Sequence, residues 1–407
     1  MARLYKMQNA IQPYAWGSHT AIAELLGHSQ PSDNPEAELW MGAHPKASSK
    51  VWFQGRWQSL NELISEDPIA FLGQHTVDRF GPQLPFLFKV LAVDTPLSLQ
   101  AHPSKEMAQI GFARESEEKI PLSAPHRNYK DDQHKPECVC ALTLFQVLCG
   151  FREIGTIRTF LEPLWPVDLA HELDMLPATG NDADIKKFFI HLMTIEKAQR
   201  LSLLSHVVSS VQNRAEQDSV YAWIAKLSEA FPDDVGILAP ALLNLVELQP
   251  GQAIFLPSGC MHAYLNGVAV EVMANSDNVL RGGLTSKHVD VQELLKVLDF
   301  KTHTVDILEP MALGDLMSVY HSHADEFELS VVTPQTEKPF HSGQRFNAPE
   351  ILLCVSGQVN FQWEGSNKGL DIHKGESILI PAEADEYQIF GDATLFMAGI
   401  NSQMLNL

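Results

Sequence analysis

Short apolar runs separated by Pro and Gly fill the chain from Met1 to about Gly150, for example VWF, LPFLFKVLAV and CVCALTLFQVLCG. Runs of this kind, bounded by turn residues, are typical of β-strands. The same texture returns after about Ala239 and continues to the end of the chain. The hydrophobic pattern therefore predicts a mainly β protein whose strands lie in two separate stretches.

Helical periodicity separates the two strand-rich stretches, from about Thr156 to Asp234. Asn181, followed by Asp184, is a helix N-cap signal placed just before the first apolar stripe. Residues at the spacing of one helix face form three stripes, which are Ile185, Phe188, Phe189 and Leu192, then Leu204, Val207, Val208 and Val211, then Tyr221, Ile224 and Leu227. We predict a helical insert or a small helical domain here.

One strand-turn unit occurs twice in the second stretch. Gly251 precedes Pro257 by six residues with an apolar run between them, and Gly375 precedes Pro381 at the same spacing. A glycine permits a tight entry turn, the apolar run forms a buried strand, and a proline ends the hydrogen-bonded ladder. Repeated units of this type are typical of a double-sheet jelly roll of the cupin kind.

The two units differ five residues after their prolines, where the first has His262 and the second has Glu386. Only the first unit keeps a side chain that commonly binds metals, so the second is predicted to be a scaffold without metal. We predict a mainly β fold with an α-helical insert: a cupin-like jelly-roll barrel at 1–152 plus 238–304, a helical domain at 153–237, and a second jelly roll at 305–407.

The net charge of the chain limits the classes of partner that it can bind. The 407 residues include 29 Lys+Arg and 50 Asp+Glu, and the formal net charge of −21 disfavours binding to nucleic acid or anionic membranes. The five cysteines form no C-x-x-C pair, and no apolar stretch is long enough for a signal peptide or a spanning helix. These features predict a soluble cytoplasmic protein with reduced thiols.

A set of metal-ligand residue types is spread along the predicted barrel. Gln100 and His102 are two residues apart on a predicted strand, so both side chains project from the same face. Glu137 and His262 would complete a set of nitrogen and oxygen ligands. Spacing alone favours hydrogen-bonded structural histidines over a metal site, because the chain has 17 His.

Longer motifs favour the metal site over structural histidines. The segments YAWGS at 14–18, ELWMGAHP at 38–45, LPFLFKVL at 84–91, LSLQAHP at 97–103, NYKDDQHKPE at 128–137 and EVMANSDNVLRGGLT at 271–285 closely resemble those of the type I mannose-6-phosphate isomerases. The resemblance extends almost from end to end and implies the fold predicted above. It also implies one zinc ion per chain, bound by Gln100, His102, Glu137 and His262. Ser286 departs from the family, which commonly has Pro there, and the absence of that Pro loosens the turn before Lys287.

The reaction that the resemblance implies is the interconversion of mannose 6-phosphate and fructose 6-phosphate by proton transfer through a cis-enediol. Negative charge develops on two adjacent oxygens, so the stabilising group must stay electron-poor. A zinc ion with one carboxylate ligand keeps a net positive charge, which a second carboxylate in place of Gln100 would cancel.

Further side chains are candidates for catalysis and substrate binding. Lys135 shares the face of Glu137 on an extended segment and is the preferred acid/base, with pairing to phosphate or to Glu271 as the alternative. Arg281 precedes two glycines and suits a phosphate or enediolate oxygen, with a salt bridge to Asp277 or Glu271 as the alternative. The full set of candidates is Arg281, Lys135, Glu271 and Asp277 for catalysis, and Ser98, Lys89, Lys287 and His134 for substrate binding.

Other conspicuous residues are interpreted as packing. These are Trp16, Trp40 and His44 in the N-terminal motifs, and Cys138 and Cys140 near the predicted metal site. Two other functions stay open from residue types alone, a cupin metal-dependent oxygenase and a non-catalytic sugar-phosphate-binding cupin. We expect a small-molecule sugar phosphate as partner, and a monomer or weak homo-oligomer.

Overall fold

The computed structural model describes residues 4–302, 304–343, 347–366 and 368–405. Within those residues the chain forms two antiparallel sheets and a group of helices. The prediction of a mainly β, cupin-like fold with a helical insert is confirmed.

Strands are numbered in chain order. They are β1 Tyr5–Gln8, β2 Ala10–Gln12, β3 Glu38–Met41, β4 Lys50–Phe53, β5 Arg56–Ser59, β6 Phe86–Val93, β7 Leu99–Ala101, β8 Glu137–Ala141, β9 Phe145–Phe151, β10 Leu243–Leu248, β11 Ala253–Leu256, β12 His262–Ala274, β13 Leu280–Gly283, β14 Met311–Ala312, β15 Met317–Tyr320, β16 Glu328–Val332, β17 Phe340–His341, β18 Glu350–Trp363, β19 Leu370–His373, β20 Ser377–Ile380 and β21 Tyr387–Gly399.

Helices are numbered in the same way. They are α1 Ala21–Leu25, α2 Leu60–Glu66, α3 Pro68–Leu72, α4 Gln74–Phe80, α5 Lys105–Glu117, α6 Ile154–Leu161, α7 Asp182–Thr194, α8 Lys197–Gln212, α9 Ser219–Ala230, α10 Ala239–Leu242, α11 Val291–Val297 and α12 Ser402–Leu405, with 3₁₀ turns at Glu162–Leu164, Val167–Met175 and Val235–Leu238.

The first sheet is organised around the long strand β12. Its C-terminal half pairs with β6 and β8, and its N-terminal half pairs with β7 and β9. Every residue of β6, FLFKVLAV, is buried, as expected for a strand that is covered on both faces. In β12, His262 pairs with Gln100 of β7 and Met273, near the other end, pairs with Glu137 of β8, so one strand connects segments from distant parts of the chain.

The second sheet holds the C-terminal strands together with three strands from the start of the chain. In β1, Tyr5 pairs with Leu379 and Lys6 with Ile378, while β4 and β5 extend the sheet beyond β1. The first strand is thus shared with the C-terminal region in one continuous sheet. The domain boundaries inferred from the sequence stay a prediction.

The predicted helical stripes form the core of the helical insert. The Asn181 side chain and Asp184 make the predicted capping box at the start of α7. Ile185, Phe188, Phe189 and Leu192 are buried, as are most apolar residues of the later stripes. They pack in one cluster with Leu99, Phe151 and Met261 of the first sheet, so the insert supports that sheet from behind the candidate site.

The sulfur chemistry agrees with the prediction of reduced thiols. All five cysteines are free, and Cys138 and Cys140 are completely buried in an apolar cluster. Burial raises the pKa of the Cys140 thiol to about 12. Among the helices that the structure describes, none reaches the length and apolarity required to cross a bilayer.

Candidate metal centre and active site

Three predicted ligands meet at one point of the first sheet. His102 follows β7 directly, Glu137 begins β8 and His262 begins β12, and their ligand atoms all lie within 4.8 Å of one another. The Nε2 atoms of His102 and His262 lie 3.3 Å and 3.2 Å from the two carboxylate oxygens of Glu137. All three side chains are almost completely buried. The sheet therefore assembles a triad from segments that lie far apart in the chain.

Hydrogen bonds orient both imidazole rings. Nδ1 of His102 lies 2.7 Å from the backbone oxygen of Asn278, and Nδ1 of His262 lies 3.0 Å from that of Cys260. A carbonyl oxygen only accepts, so each Nδ1 carries the proton and each Nε2 presents its lone pair. Neither buried Nε2 makes a hydrogen bond to any described residue. Two uncommitted imidazole nitrogens facing one carboxylate fit a divalent metal ion.

The charge states suit metal binding as well. Burial and the nearby Lys135 ammonium lower the pKa of His102 to about 4, so the imidazole is neutral. Burial alone would raise the pKa of Glu137, but the charge of the nearby Lys135 ammonium opposes burial, and the pKa lies well below its usual range. Neutral His102 and ionised Glu137 are the forms that bind metals.

Gln100 lies on the same wall as the triad. Its Cα is the register partner of His262 on one neighbouring strand and of Arg281 on the other. Directly paired residues of antiparallel strands project from the same face of a sheet, so the three side chains share one face. The position agrees with the predicted fourth ligand, and the role of Gln100 as a ligand stays a prediction.

A cavity of about 990 Å³ opens in front of this wall, a volume in the range of small-molecule binding sites. Nine of the twelve predicted site residues line it: Lys89, Ser98, Gln100, Lys135, Glu137, Glu271, Asp277, Arg281 and Lys287. His102 and His262 lie in the wall behind Glu137.

His134 is the predicted residue that the structure places elsewhere. It does not line the cavity, and its Nε2 lies 2.7 Å from Glu326 Oε1, in the C-terminal part of the chain. On the extended segment that ends at Glu137, alternate side chains face opposite ways, so Lys135 enters the cavity and His134 leaves it.

Lys89 and Glu271 form a buried charge network at the cavity floor. The Lys89 ammonium lies 3.0 Å from Glu271 and 3.6 Å from Glu38. Burial would lower the pKa of Lys89, but these carboxylates outweigh it and raise that pKa, so the side chain stays charged. The ammonium predicted to bind substrate is thus already paired with two carboxylates. Burial and the charge of Glu137 raise the pKa of Glu271 against the effect of Lys89.

Tyr264 connects Glu271 to Glu137. Its hydroxyl oxygen lies 2.8 Å from Glu271 and 3.2 Å from Glu137, and its single proton can be donated to only one of them at a time. Sequence reasoning missed Tyr264, although its position two residues after His262 on a strand places it on the same face.

One part of the cavity carries two cations, Arg281 and Lys287. The Arg281 guanidinium makes no hydrogen bond or ion pair with any residue in the described part of the chain, so the predicted alternative of a salt bridge to Asp277 or Glu271 is not formed. Burial lowers the pKa of Arg281. Burial and the charge of Arg281 together lower the pKa of the exposed Lys287. Two cations without a carboxylate partner fit an anionic group of a ligand.

Asp277 is anchored at the rim by Lys46 at 2.8 Å and His44 at 3.4 Å. These bonds hold the pKa of Asp277 well below its usual range despite partial burial, which raises it. Asp277 is therefore ionised and already engaged by two basic side chains.

The aromatic residues interpreted as packing line the cavity. Trp16, Trp40 and His44 are all part of its wall, and the Trp40 indole N–H donates to Glu38. The Trp40 and His44 rings lie 4.9 Å apart in an edge-on arrangement. Their occurrence in the quoted motifs was the signal available in the sequence. Ser286, the departure from the family pattern, is exposed at the cavity rim.

Comparisons with known proteins agree with this site. The family model described as phosphomannose isomerase type I, catalytic domain, matches residues 4–154. Mannose-6-phosphate isomerase of Escherichia coli (strain K12) is 40% identical over 397 residues, covering 96% of this chain and 98% of that protein. The Rattus norvegicus protein of the same name is 38% identical, with 88% of each chain covered.

Solved structures are similar over nearly the whole chain. A zinc-bound mannose 6-phosphate isomerase superimposes with a TM-score of 0.88 at 38% identity, covering 98% of this chain and 100% of that one. An alanine variant of phosphomannose isomerase from Salmonella typhimurium superimposes with a TM-score of 0.89 at 37% identity over the same shares.

Proposed function

The chain belongs to the type I phosphomannose isomerases, and on that premise we propose that it interconverts mannose 6-phosphate and fructose 6-phosphate with one bound zinc ion. The observation that carries the proposal is the buried triad of His102, Glu137 and His262, whose two uncommitted Nε2 atoms face the Glu137 carboxylate in the wall of a cavity that the unpaired Arg281 side chain also lines. Gln100 is proposed as the fourth ligand. When bound, zinc would supply a positive charge next to the oxygens that become negative during the reaction.

The residues around the triad are proposed to move and hold the proton. Lys135 Nζ lies 3.0 Å from Glu137 Oε1 and lines the cavity, which supports a role for it next to the reacting carbons of a sugar bound at the triad. We assign it the transfer between C1 and C2. Glu271, which shares the Tyr264 hydroxyl with Glu137, and Asp277 at the rim are assigned to orienting substrate hydroxyls.

The phosphate is proposed to bind where the cavity carries Arg281 and Lys287. Arg281 and Lys287 have no carboxylate neighbour among the described residues, and Ser98 lines the same cavity and can donate its hydroxyl proton. Lys89 is less suited to this role, because Glu271 and Glu38 already neutralise its charge. It is better placed to hold Glu271 in position.

A coupled assay tests the activity. Mannose 6-phosphate, glucose 6-phosphate and unphosphorylated mannose are each offered to the protein, with and without a chelator, while fructose 6-phosphate or fructose is measured. We expect conversion of mannose 6-phosphate alone, abolished by the chelator and restored by zinc. An oxygen-dependent reaction would instead indicate a cupin oxygenase, and binding without turnover would indicate a non-catalytic sugar-phosphate-binding protein.

Two substitutions separate phosphate binding from proton transfer. Arg281→Ala is expected to raise KM for mannose 6-phosphate by about 10-fold or more, since it removes a charge-assisted contact to phosphate. Lys135→Met is expected to lower kcat and leave zinc content unchanged. An Arg281→Ala enzyme with normal KM and reduced kcat would assign Arg281 to the reacting oxygens, and an active Lys135→Met enzyme would exclude Lys135 as the proton carrier.

We further propose that the protein acts in the cytoplasm, as the five free thiols and the predicted sugar-phosphate substrate suggest. The strongly negative net charge supports the expectation that nucleic acid is not a partner. The monomeric or weakly oligomeric state stays a prediction.

A further inference from the structure

Asn278 lies outside the triad, in the connection between β12 and β13, and is completely buried. Its side-chain oxygen accepts hydrogen bonds from the backbone N–H groups of Lys130 at 2.7 Å and Asp131 at 3.3 Å. Its side-chain nitrogen donates to the backbone oxygens of Asp131 at 2.9 Å and Gln133 at 2.8 Å. One amide thus fixes the backbone of the loop 130–133.

The same loop leads directly into the catalytic segment. Lys135 and Glu137 follow it by only a few residues, so the position of the loop sets where Glu137 begins its strand. Asp131 holds the arrangement from the other side, since its carboxylate accepts from the Ser276 hydroxyl at 2.7 Å and from the backbone N–H of Asp277 at 2.8 Å. The loop 130–133 and the segment 276–278 are therefore clamped to each other.

The backbone carbonyl of Asn278 contacts His102, another proposed zinc ligand. Its carbonyl oxygen accepts from His102 Nδ1 at 2.7 Å, which keeps the proton on Nδ1 and the Nε2 lone pair directed at Glu137. A carbonyl that is free to rotate would allow the other tautomer or another ring orientation. Because the side-chain amide of Asn278 immobilises its own backbone, the ring orientation depends on that amide.

We propose that Asn278 is a positioning residue for the metal centre: through its amide it places Glu137, and through its carbonyl it fixes the orientation and tautomer of His102. The inference rests on the proposed zinc function. Groups that orient metal ligands typically contribute about 10-fold to 100-fold to metal affinity. Asn278 itself touches neither the metal nor the substrate in this role.

Asn278→Asp tests the proposal, because it keeps the shape and the acceptor of the amide. The substitution replaces the donor with a carboxylate oxygen that faces the oxygens of Asp131 and Gln133. Zinc affinity is measured by competition with a chromophoric chelator, and Co²⁺ bound in place of zinc reports ligand geometry through its visible spectrum. We expect zinc affinity to fall about 10-fold to 100-fold and the Co²⁺ bands to shift.

Asn401→Asp is the matched control. Asn401 is also a buried amide, whose nitrogen donates to the Ala324 carbonyl at 2.8 Å and whose oxygen accepts from the Gln403 N–H at 3.1 Å, in the C-terminal region. We expect it to lower thermal stability and to leave zinc affinity and the Co²⁺ spectrum as in the unmodified protein. If Asn278→Asp does not fold, Asp131→Asn weakens the same clamp and is expected to lower zinc affinity by a smaller factor.

The outcomes separate this inference from the proposed function. Unchanged zinc affinity and an unchanged Co²⁺ spectrum in a folded Asn278→Asp or Asp131→Asn protein would overturn the positioning role. Equal losses of zinc affinity in Asn278→Asp and Asn401→Asp would also overturn it, because the effect would then be general destabilisation. An unmodified protein that neither binds zinc nor isomerises mannose 6-phosphate would contradict the proposed function itself.

Discussion

The strand-turn unit that occurs twice in the chain forms the same local structure in both sheets, with different chemistry at its end. Gly251 and Gly375 enter the two units with φ of +89° and +85°, a conformation that favours glycine. Strands β11 and β20 follow, and each pairs with the strand that carries a glutamate at its start. Glu137 is the partner of Leu256 in the first unit, and Glu350 is the partner of Ile380 in the second.

Both units also have a tyrosine hydroxyl within hydrogen-bonding distance of that glutamate. The Tyr264 hydroxyl lies 3.2 Å from Glu137, and the Tyr387 hydroxyl donates to Glu350 at 3.0 Å. The difference lies five residues after each proline: His262 is buried and faces Glu137, whereas Glu386 is exposed to solvent. Both units therefore have the same strands and a tyrosine close to the glutamate. The candidate metal site also needs the His262 imidazole, which only the first unit has.

The histidine substitution is expected to produce the largest difference between the units. His262→Ala should abolish zinc binding and lower kcat by about 1,000-fold or more, because a metal contributes several kcal/mol of charge stabilisation. Glu386→Ala, at the corresponding position, should leave both unchanged. Zinc content and the coupled assay measure the effect, and a zinc-loaded, active His262→Ala enzyme would contradict the ligand assignment.

The amide of Gln100, the proposed fourth ligand, is expected to control reactivity more than metal binding. Gln100→Glu should retain zinc and lower kcat by on the order of 100-fold, similar to the loss of one oxyanion donor, because a second carboxylate neutralises the metal. Metal analysis and kcat are measured on the same preparation. Full zinc occupancy with unchanged kcat would reject this explanation of the amide.

The paired tyrosines sharpen the comparison further. Tyr264→Phe is expected to lower kcat by about 10-fold, because Glu137 and Glu271 lose the hydroxyl between them. Tyr387→Phe should leave kcat unchanged and reduce the free energy of unfolding by about 1 kcal/mol. Equal effects of the two substitutions on kcat would indicate that Tyr264 acts only on stability.

The smallest effect concerns the contact between the catalytic segment and the C-terminal region. Burial raises the pKa of Glu326, but the hydrogen bond and charge of His134 outweigh it and lower that pKa. A pKa lower in the folded than in the unfolded state stabilises the fold above the ordinary carboxyl pKa, and this contribution disappears as the pH falls through the folded pKa. Glu326→Gln should therefore reduce stability near pH 7 by about 1 kcal/mol or less.

Denaturant titrations of the unmodified protein and of Glu326→Gln over a pH series measure this difference in stability. The stability difference between the unmodified protein and Glu326→Gln should shrink on acidification, and a difference that stays constant with pH would show that the charge of Glu326 does not contribute.

Several parts of the fold followed from local sequence features. The capping box at Asn181 and Asp184 was readable because the interaction spans only three residues. The repeated Gly and Pro spacing was readable because a positive φ and the end of a strand are local requirements. The sheet membership of β1 was not, because its pairing with β20 joins residues that are more than 370 positions apart.

In the candidate site, too, the sequence predicted some features and not others. Gln100, His102, Glu137 and His262 were predicted from residue type, spacing and motif resemblance, and the structure brings His102, Glu137 and His262 together. The sequence did not predict three features: the cavity positions of Trp40 and His44, the pairing of Lys89 with two carboxylates, and the contact of His134 with Glu326. Each of these depends on which charged or aromatic group another segment brings to the same place.

By itself, the amino-acid sequence determined the alternation of strands and helices, the family and the residue types available for chemistry, because these depend on neighbouring residues and on motifs. Tertiary structure alone decided which ionisable groups are paired and which imidazole nitrogens remain uncommitted. Electrostatic interactions and hydrogen bonds act over a few ångströms, and in this chain those distances are set by strands that lie far apart in sequence.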